Sequence, residues 1–517
     1  MAGLTAIVVA VSSVARKLGF LVPIALVVVG LGLSLVPGFP LVRLEPQFVL
    51  IGVLPPLLYV AALETSVPAF RHNIRPILLL AVGLVTFTTV AVGLVTYALL
   101  PGVPLAACLA LGAVVAPPDA VAATAVARRM GLPRRAVTIL EGESLLNDAS
   151  ALVLFRVAVA AAVGNAVGPL EIGGQMLLAA GGGIAVGLAA ALAIGYVHRR
   201  ATHPVTDNAV SLLTPFVVTA LAEAIHASAV VAVVVTGLYL GHRLPVLVSA
   251  ASRLQMGAFW KLVKYLLEGL VFLVVGLQLR HVVADVSTGL PTVVALTAGV
   301  LATVVVSRFM WIVPVTYLTR MIPAVRRSDP APPLRIPVVL SWAGMRGVVT
   351  LATALALPAT LAGGAEYPRE LFVWLAFAVI MATLLMQGTT LPGLVRVLRV
   401  RPDDPTQDTL VEAATQHSAS RAALAALDRH ADGAPAEVVD QLRRLMERRA
   451  NTAWERLGHG QETPSQAYVR LRRHMLKAER EVFRRARDAG RIPEEILVKA
   501  QRELDLEESM LERRAER

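Results

Sequence analysis

From its first residues to about Leu398 the chain is a succession of apolar runs, most of them about 20 residues long, parted by short polar breaks. A helix of that length crosses the hydrocarbon core of a bilayer. The runs account for a mean hydropathy of +0.67 and an apolar content of 56% in 517 residues, more than a soluble protein of this size needs. Beyond Leu398 the sequence turns polar and charged. It therefore divides into a membrane domain, residues 1–398, and a soluble tail, residues 399–517.

Length and hydropathy give about 13 candidate spans. They centre on residues 3–14, 18–36, 47–64, 76–100, 104–126, 136–162, 173–197, 208–224, 226–241, 257–279, 291–318, 334–357 and 371–395. The opening run Met1–Val14 leads into Arg16 and Lys17 rather than a cleavage site, so it reads as a retained first span. The expected fold is an all-α polytopic membrane protein with a helical tail.

The net charge of +12 is organised by position. Alternate breaks are basic: Arg16 and Lys17; Arg71 and Arg75; Arg128, Arg129, Arg134 and Arg135; Arg199 and Arg200; Arg243, Arg253, Lys261 and Lys264; Arg320, Arg326, Arg327 and Arg335. The other breaks carry Arg43, Arg280 and Arg369 and little else that is positive. Cytoplasmic loops hold the Lys/Arg excess, so the N-terminus is expected outside and the tail in the cytoplasm. This placement argues against nucleic-acid binding. The lone cysteine, Cys108, excludes an internal disulfide framework and a cysteine metal site. In the tail, segments such as 436–457 and 465–488 read as solvated helices rich in Leu, Ala, Glu and Arg. They suit either a passive appendage or a regulatory element with an unknown cytosolic partner.

Ionisable groups at membrane depth are costly and mark transport pathways. Those inside the spans are Asp119, Glu143, Asp148, Arg156, Arg308 and Arg346, with Glu64, Glu223 and Glu268 nearer to span ends. Three elements stand out. Glu141-Gly-Glu143-Ser144-Leu-Leu-Asn147-Asp148 opens the sixth span. Ser144 and Asp148 are four apart and share a helix face, with Asn147 beside them. Such oxygens replace the water of a hard cation. Helix capping is an alternative for Glu141 and Glu143, but not for the deeper Asp148.

The second element is Val115-Ala116-Pro117-Pro118-Asp119-Ala120. Consecutive prolines break the fifth span, and broken backbone at that depth requires surrounding protein or a water-filled cavity. Asp119 sits at this break, either as a cap for the second half-helix or as part of an ion site. The third is Ser341-Trp-Ala-Gly344-Met-Arg346-Gly347 in the twelfth span. Its glycines weaken the helix and allow close approach. Buried Arg346 needs a carboxylate; Glu143 and Asp119 are the candidates, and a structural pair with Glu143 would leave Asp148 free. The two interrupted spans are seven apart and so run in opposite directions, the topology of two inverted repeats with two discontinuous helices crossing near the midplane.

The runs Leu54-Pro-Pro-Leu-Leu-Tyr59, Pro117-Pro-Asp-Ala-Val-Ala-Ala123, Leu140-Glu-Gly-Glu-Ser-Leu-Leu-Asn-Asp148, Phe272-Leu-Val-Val-Gly-Leu-Gln278, Gly344-Met-Arg-Gly347 and Gln387-Gly-Thr-Thr-Leu391 resemble the cation:proton antiporter-1 family. That family includes bacterial sodium/proton antiporters of the NhaP type and the animal sodium/proton exchangers. The resemblance covers about residues 15–398. It implies 13 spans in two inverted repeats, a core domain and a dimerisation domain, and a homodimer in the plasma membrane. It assigns cation and proton binding to Asp148, with Na+ also touching Asp119 and Ser144, Asn147 alongside, and a core salt bridge between Glu143 and Arg346. Asn147 stands where electrogenic relatives carry a second acid, which implies electroneutral exchange. Two departures are visible. Pro118 stands where the family usually has Thr or Ser, and the acid after the Leu54–Tyr59 run is Glu64, one turn further along, an accessory candidate.

The expected activity is exchange of Na+, Li+ or K+ for H+. Carboxyl groups withdrawn from water favour the neutral form, so a proton and a cation compete for Asp148. Neutralisation by either then permits alternating access. No Walker-type loop and no His/Glu metal pair is present, so neither an enzyme nor a cofactor is expected; membrane lipids are the surrounding partner. The alternatives are a potassium-selective antiporter and a membrane sensor that signals through its tail.

Overall fold

Runs of Leu, Val and Ala can satisfy their backbone polar groups in lipid only by closing them within the segment, and the chain answers with helices. The computed structural model describes residues 2–37, 45, 47–164, 168–201, 203–278, 282–283, 289–364, 366–455 and 462–516. Among the described residues there is no β-strand; one isolated bridge joins Thr360 and Glu366. Arg43 and Arg280, used above for the loop-charge pattern, lie outside the described residues.

The chain forms two compact units, Met1–Pro402 and Asp403–Arg517. In the first, seven helices among the described residues are long and apolar enough to cross a membrane: Ile74–Leu99, Arg134–Ala162, Gly173–Arg200, Pro204–Ala224, Ala229–Leu247, Leu290–Met321 and Arg369–Val397. Other apolar segments expected as whole spans are shorter or interrupted. Val22–Ser34 is a short apolar helix, and Phe48–Val53 is wound as a π-helix before Leu54–Glu64. Ala250–Leu277 is long but carries Arg253, Lys261, Lys264 and Glu268.

The two spans read as interrupted are broken in the structure. The first consists of Leu105–Val115 and Ala120–Arg129. Pro117 and Pro118 lack the N–H groups that would continue the first half. The second consists of Arg335–Trp342 and Val348–Leu355, parted by Ala343–Gly347. The breaks touch: Asp119 N donates to Met345 O at 2.8 Å, and Arg346 Nε donates to Val115 O at 2.7 Å.

Two large apolar cores, with a small third at Val85, Ala116 and Ala151, fill this unit among the described residues. One gathers the broken helices with Arg369–Val397, Leu290–Leu318 and the end of Ala250–Leu277. The other joins Leu54–Glu64 to Ala229–Leu247 and to Met256 and Trp260. Helices Val22–Ser34 and Ala250–Leu277 cross at Gly30 and Gly276, where a β-carbon on either would strike the opposing backbone.

The second unit contains helices Pro405–His430, Ala436–Glu455, Pro464–Asp488 and Glu494–Glu516. Thr463 and Gln466 form a capping box at the start of the third. The last two helices share Leu476, Leu504 and Leu511, and Arg472 clamps Glu507 through bonds of 2.6 and 2.7 Å.

Candidate functional site

A cavity of about 320 Å³ opens where the two large apolar cores of the first unit meet. A water occupies about 30 Å³ of liquid, so the cavity has room for a small ion with several waters. Asp148, Ser144, Asp119 and Glu64 all line it, as do Lys264 and Glu268. Ser144 and Asp148 reach it from one face of helix Arg134–Ala162, as their spacing requires. Asp148 is buried, at 8% exposure.

Asp119 is set by the first break. Its Oδ1 accepts from Val121 N at 2.8 Å, capping helix Ala120–Arg129. Its Oδ2 lies against Gly347, the N-cap of Val348–Leu355, so closely that a β-carbon on Gly347 would collide with it. One carboxylate thus sits at the positive ends of two half-helices, while still lining the cavity.

Arg346 occupies the opposite electrostatic position. Its guanidinium donates to Val115 O at 2.7 Å and to Gly344 O at 2.8 Å, the first being the last residue of half-helix Leu105–Val115. A cation there offsets the negative helix end. Its backbone N–H donates to Thr383 Oγ1 at 3.0 Å, anchoring the break to helix Arg369–Val397.

The expected Glu143–Arg346 salt bridge is not the one formed. Glu143 accepts instead from Arg308, through Nη1 at 2.7 Å and Nη2 at 3.3 Å, both side chains being 1% exposed. Arg308 also donates to Ser341 O at 3.2 Å and Leu340 O at 3.0 Å, the closing carbonyls of half-helix Arg335–Trp342. The reason is steric and electrostatic. Arg346 is drawn to the carbonyl end of the other broken helix, while Arg308 passes over Gly344, where any β-carbon would strike its side chain. Each glycine of the Gly344-Met-Arg-Gly347 motif therefore leaves space for one charged side chain.

Asn147 stands apart from the cavity-lining residues. It is fully buried, and its Nδ2 donates to Pro118 O at 2.6 Å, pinning the first break to the acid-bearing helix. The Pro118 carbonyl lies in the break, ahead of helix Ala120–Arg129, and Asn147 supplies its partner. Glu64 pairs with Lys264 at 3.2 Å in partly exposed surroundings, and Arg128 pairs with Glu141 at 2.6 Å; all four line the cavity.

Residues 3–397 match the family described as sodium/hydrogen exchanger, transmembrane. The chain belongs to the sodium/hydrogen exchanger family. It is 39% identical over 436 residues to an uncharacterized Na(+)/H(+) exchanger of Mycobacterium tuberculosis, covering 83% of this chain and 79% of the relative. It is 31% identical over 402 residues to the sodium, potassium, lithium and rubidium/H(+) antiporter of Bacillus subtilis, covering 75% of this chain and 60% of that one. Its fold is similar to that of the sodium proton antiporter MjNhaP1 from Methanocaldococcus jannaschii, with a TM-score of 0.60 at 17% identity over 76% of this chain and 96% of that chain. This exchanger is accordingly a multi-pass membrane transporter for monovalent cation and proton exchange. Its family is one of antiporters, not an enzyme class.

Arg308, Lys264 and Glu268 carry no motif that assigns them a role from sequence alone. For Arg308 a signal existed: it is one of three arginines within spans, with Arg156 and Arg346, any of which could claim the deepest glutamate. For Lys264 and Glu268 the signal was their four-residue spacing, which puts both on one helix face.

Proposed function

We propose that the exchanger carries Na+ and H+ in alternation on the Asp148 carboxylate. The observation that carries this reading is the position of Asp148 on a cavity floored by two crossing helix breaks. Asp148, Ser144 and Asp119 offer oxygens to a partly hydrated alkali cation. Asn147 holds the break in place and leaves Asp148 as the acid to be neutralised. A carboxylate that must shed water to cross holds either a proton or a cation. Either one cancels its charge and lets the core shift past the rest of the membrane unit; the empty, charged site resists that shift. One acid titrating per cycle makes the exchange one-for-one and electroneutral.

The remaining architecture in this reading is that of two inverted repeats in 13 spans, working as a homodimer. The loop charges favour an external N-terminus and a cytoplasmic tail in a bacterial plasma membrane. The cytoplasmic unit Asp403–Arg517 is the natural seat of regulation.

A broader selectivity that includes K+ is a second reading, favoured by the resemblance to the sodium, potassium, lithium and rubidium/H(+) antiporter of Bacillus subtilis. Purified protein in vesicles loaded with a pH-sensitive dye tests both. Addition of Na+, Li+ or K+ in turn should move protons, with no dependence on membrane potential, and the ranking of the three ions gives the selectivity. Asp148→Asn should abolish the proton signal for every ion. Exchange retained by that variant would refute the assignment.

A further inference from the structure

We propose that Glu268 is an entry carboxylate for the transported cation, and that Lys264 sets how strongly it attracts one. The proposal deepens the reading of the Asp148 cavity as the ion path and depends on it.

The cavity has two walls of different origin. Asp119, Ser144 and Asp148 come from the broken helix and the acid-bearing helix. Glu64, Lys264 and Glu268 come from Leu54–Glu64 and Ala250–Leu277. On this second wall Lys264 and Glu64 form an ion pair of 3.2 Å with side chains 33% and 46% exposed, so the pair stands at the mouth. Glu268 follows Lys264 by one turn, about 6 Å along the helix axis. Its Oε1 is sealed from bulk solvent and has no hydrogen-bond partner among the described residues.

That orphaned oxygen points to a ligand. A buried carboxylate oxygen without a partner is expensive, and ionisable groups at membrane depth are retained for the ions they handle. The nearby cation is already engaged with Glu64, which leaves Glu268 with incomplete neutralisation. The lining as a whole holds the carboxylates of Glu64, Asp119, Glu141, Asp148 and Glu268 against the cations of Arg128 and Lys264. A cleft of one prevailing sign with apolar walls raises the local concentration of counter-ions. Glu268, lying inside the Glu64–Lys264 pair, gives an incoming alkali cation its first buried oxygen ligand. Lys264 opposes that attraction and keeps the ion from being trapped there.

The test uses the full-length protein in phosphatidylcholine–phosphatidylglycerol vesicles, with Na+ and K+ titrated separately against the dye signal. Glu268→Gln should raise the half-saturating cation concentration about three- to tenfold, a change that exceeds any fall in maximal rate. Glu268→Asp should recover most of the wild-type value. Lys264→Gln should shift the half-saturating concentration the other way, downward. A half-saturating concentration unchanged in Glu268→Gln, or a loss of maximal rate alone, would overturn the proposal; so would an upward shift in Lys264→Gln. Asp148→Asn is measured beside them. Exchange surviving in that variant removes the site reading itself, whereas a silent Asp148→Asn with an unaffected Glu268→Gln removes only the entry role.

Discussion

Glu143 and Arg308 face each other through two hydrogen bonds of 2.7 and 3.3 Å in the interior of the membrane unit, joining the acid-bearing helix to helix Leu290–Leu318. Because Arg308 also holds the carbonyls of Leu340 and Ser341, this pair fixes one half of the second broken helix to the helix that carries Asp148. Removing one member leaves an uncompensated charge away from water, at a cost of about 3–5 kcal/mol. Arg308→Ala and Glu143→Gln should therefore each lower thermal stability in detergent severely, and the double substitution should be less harmful than the sum of the two. The same cycle for Glu143 and Arg346 should show the smaller coupling. Stronger coupling to Arg346 would reject the pairing.

Gly347 is a second point of control. A methyl group there would occupy the space of the Asp119 carboxylate, which is itself tied to Val121 and cannot simply move aside. Overpacking of this kind costs about 1–3 kcal/mol, and here it displaces a cavity-lining acid. Gly347→Ala should insert in the membrane at normal levels and lose most of its exchange. Wild-type exchange rates in vesicles would count against the tight packing of the two breaks.

The Asn147–Pro118 bond predicts a stability effect rather than a change in ion preference. Asn147→Ala leaves a buried carbonyl unsatisfied, worth about 1–3 kcal/mol. Melting temperature should fall, while the ranking of Na+, Li+ and K+ among the molecules that remain folded should hold. A changed ranking with an unchanged melting temperature would make Asn147 a cation ligand instead of a strut.

Asp329 supplies a pH dependence outside the spans. Burial alone would raise its pKa, but hydrogen bonds from Arg135 and Arg320, with the charge of both, outweigh that and hold the carboxyl below its usual range. The ion-pair distances are 2.7 and 2.6 Å. A carboxylate whose folded pKa is depressed contributes its stability in full above the unfolded value, about 3.9, and loses it as pH falls through the folded value. Melting temperature should thus drop on acidification below about pH 4, and Asp329→Asn should lower it at neutral pH and flatten that acid limb. An acid limb as steep in the variant as in the wild type would assign it to other groups.

Much of this molecule is legible in one dimension. Apolar run length marked the seven helices that, among the described residues, are long and apolar enough to cross a membrane, because bilayer thickness acts on each segment by itself. Pro117, Pro118, Gly344 and Gly347 marked the two breaks, since a missing N–H or a missing side chain is a local property of the backbone. The i, i+4 spacing put Ser144 and Asp148 on one face, and both line the cavity. Run length does not show that one apolar run is wound in unlike pieces, as at Phe48–Val53 and Leu54–Glu64.

The partner of each buried charge is settled by how the helices pack. Three arginines inside spans, Arg156, Arg308 and Arg346, were open to Glu143, and pattern alone favoured Arg346. Arg308 took it, because Arg346 is held by the carbonyl of Val115, on a helix that is remote in sequence and adjacent in space. Likewise Glu268 joins Asp148 on one cavity only once Ala250–Leu277 packs beside the broken helices. Helix and break are fixed by neighbours a few residues away, whereas charge pairing depends on which helix ends meet, and that is set by the packing of the whole membrane unit.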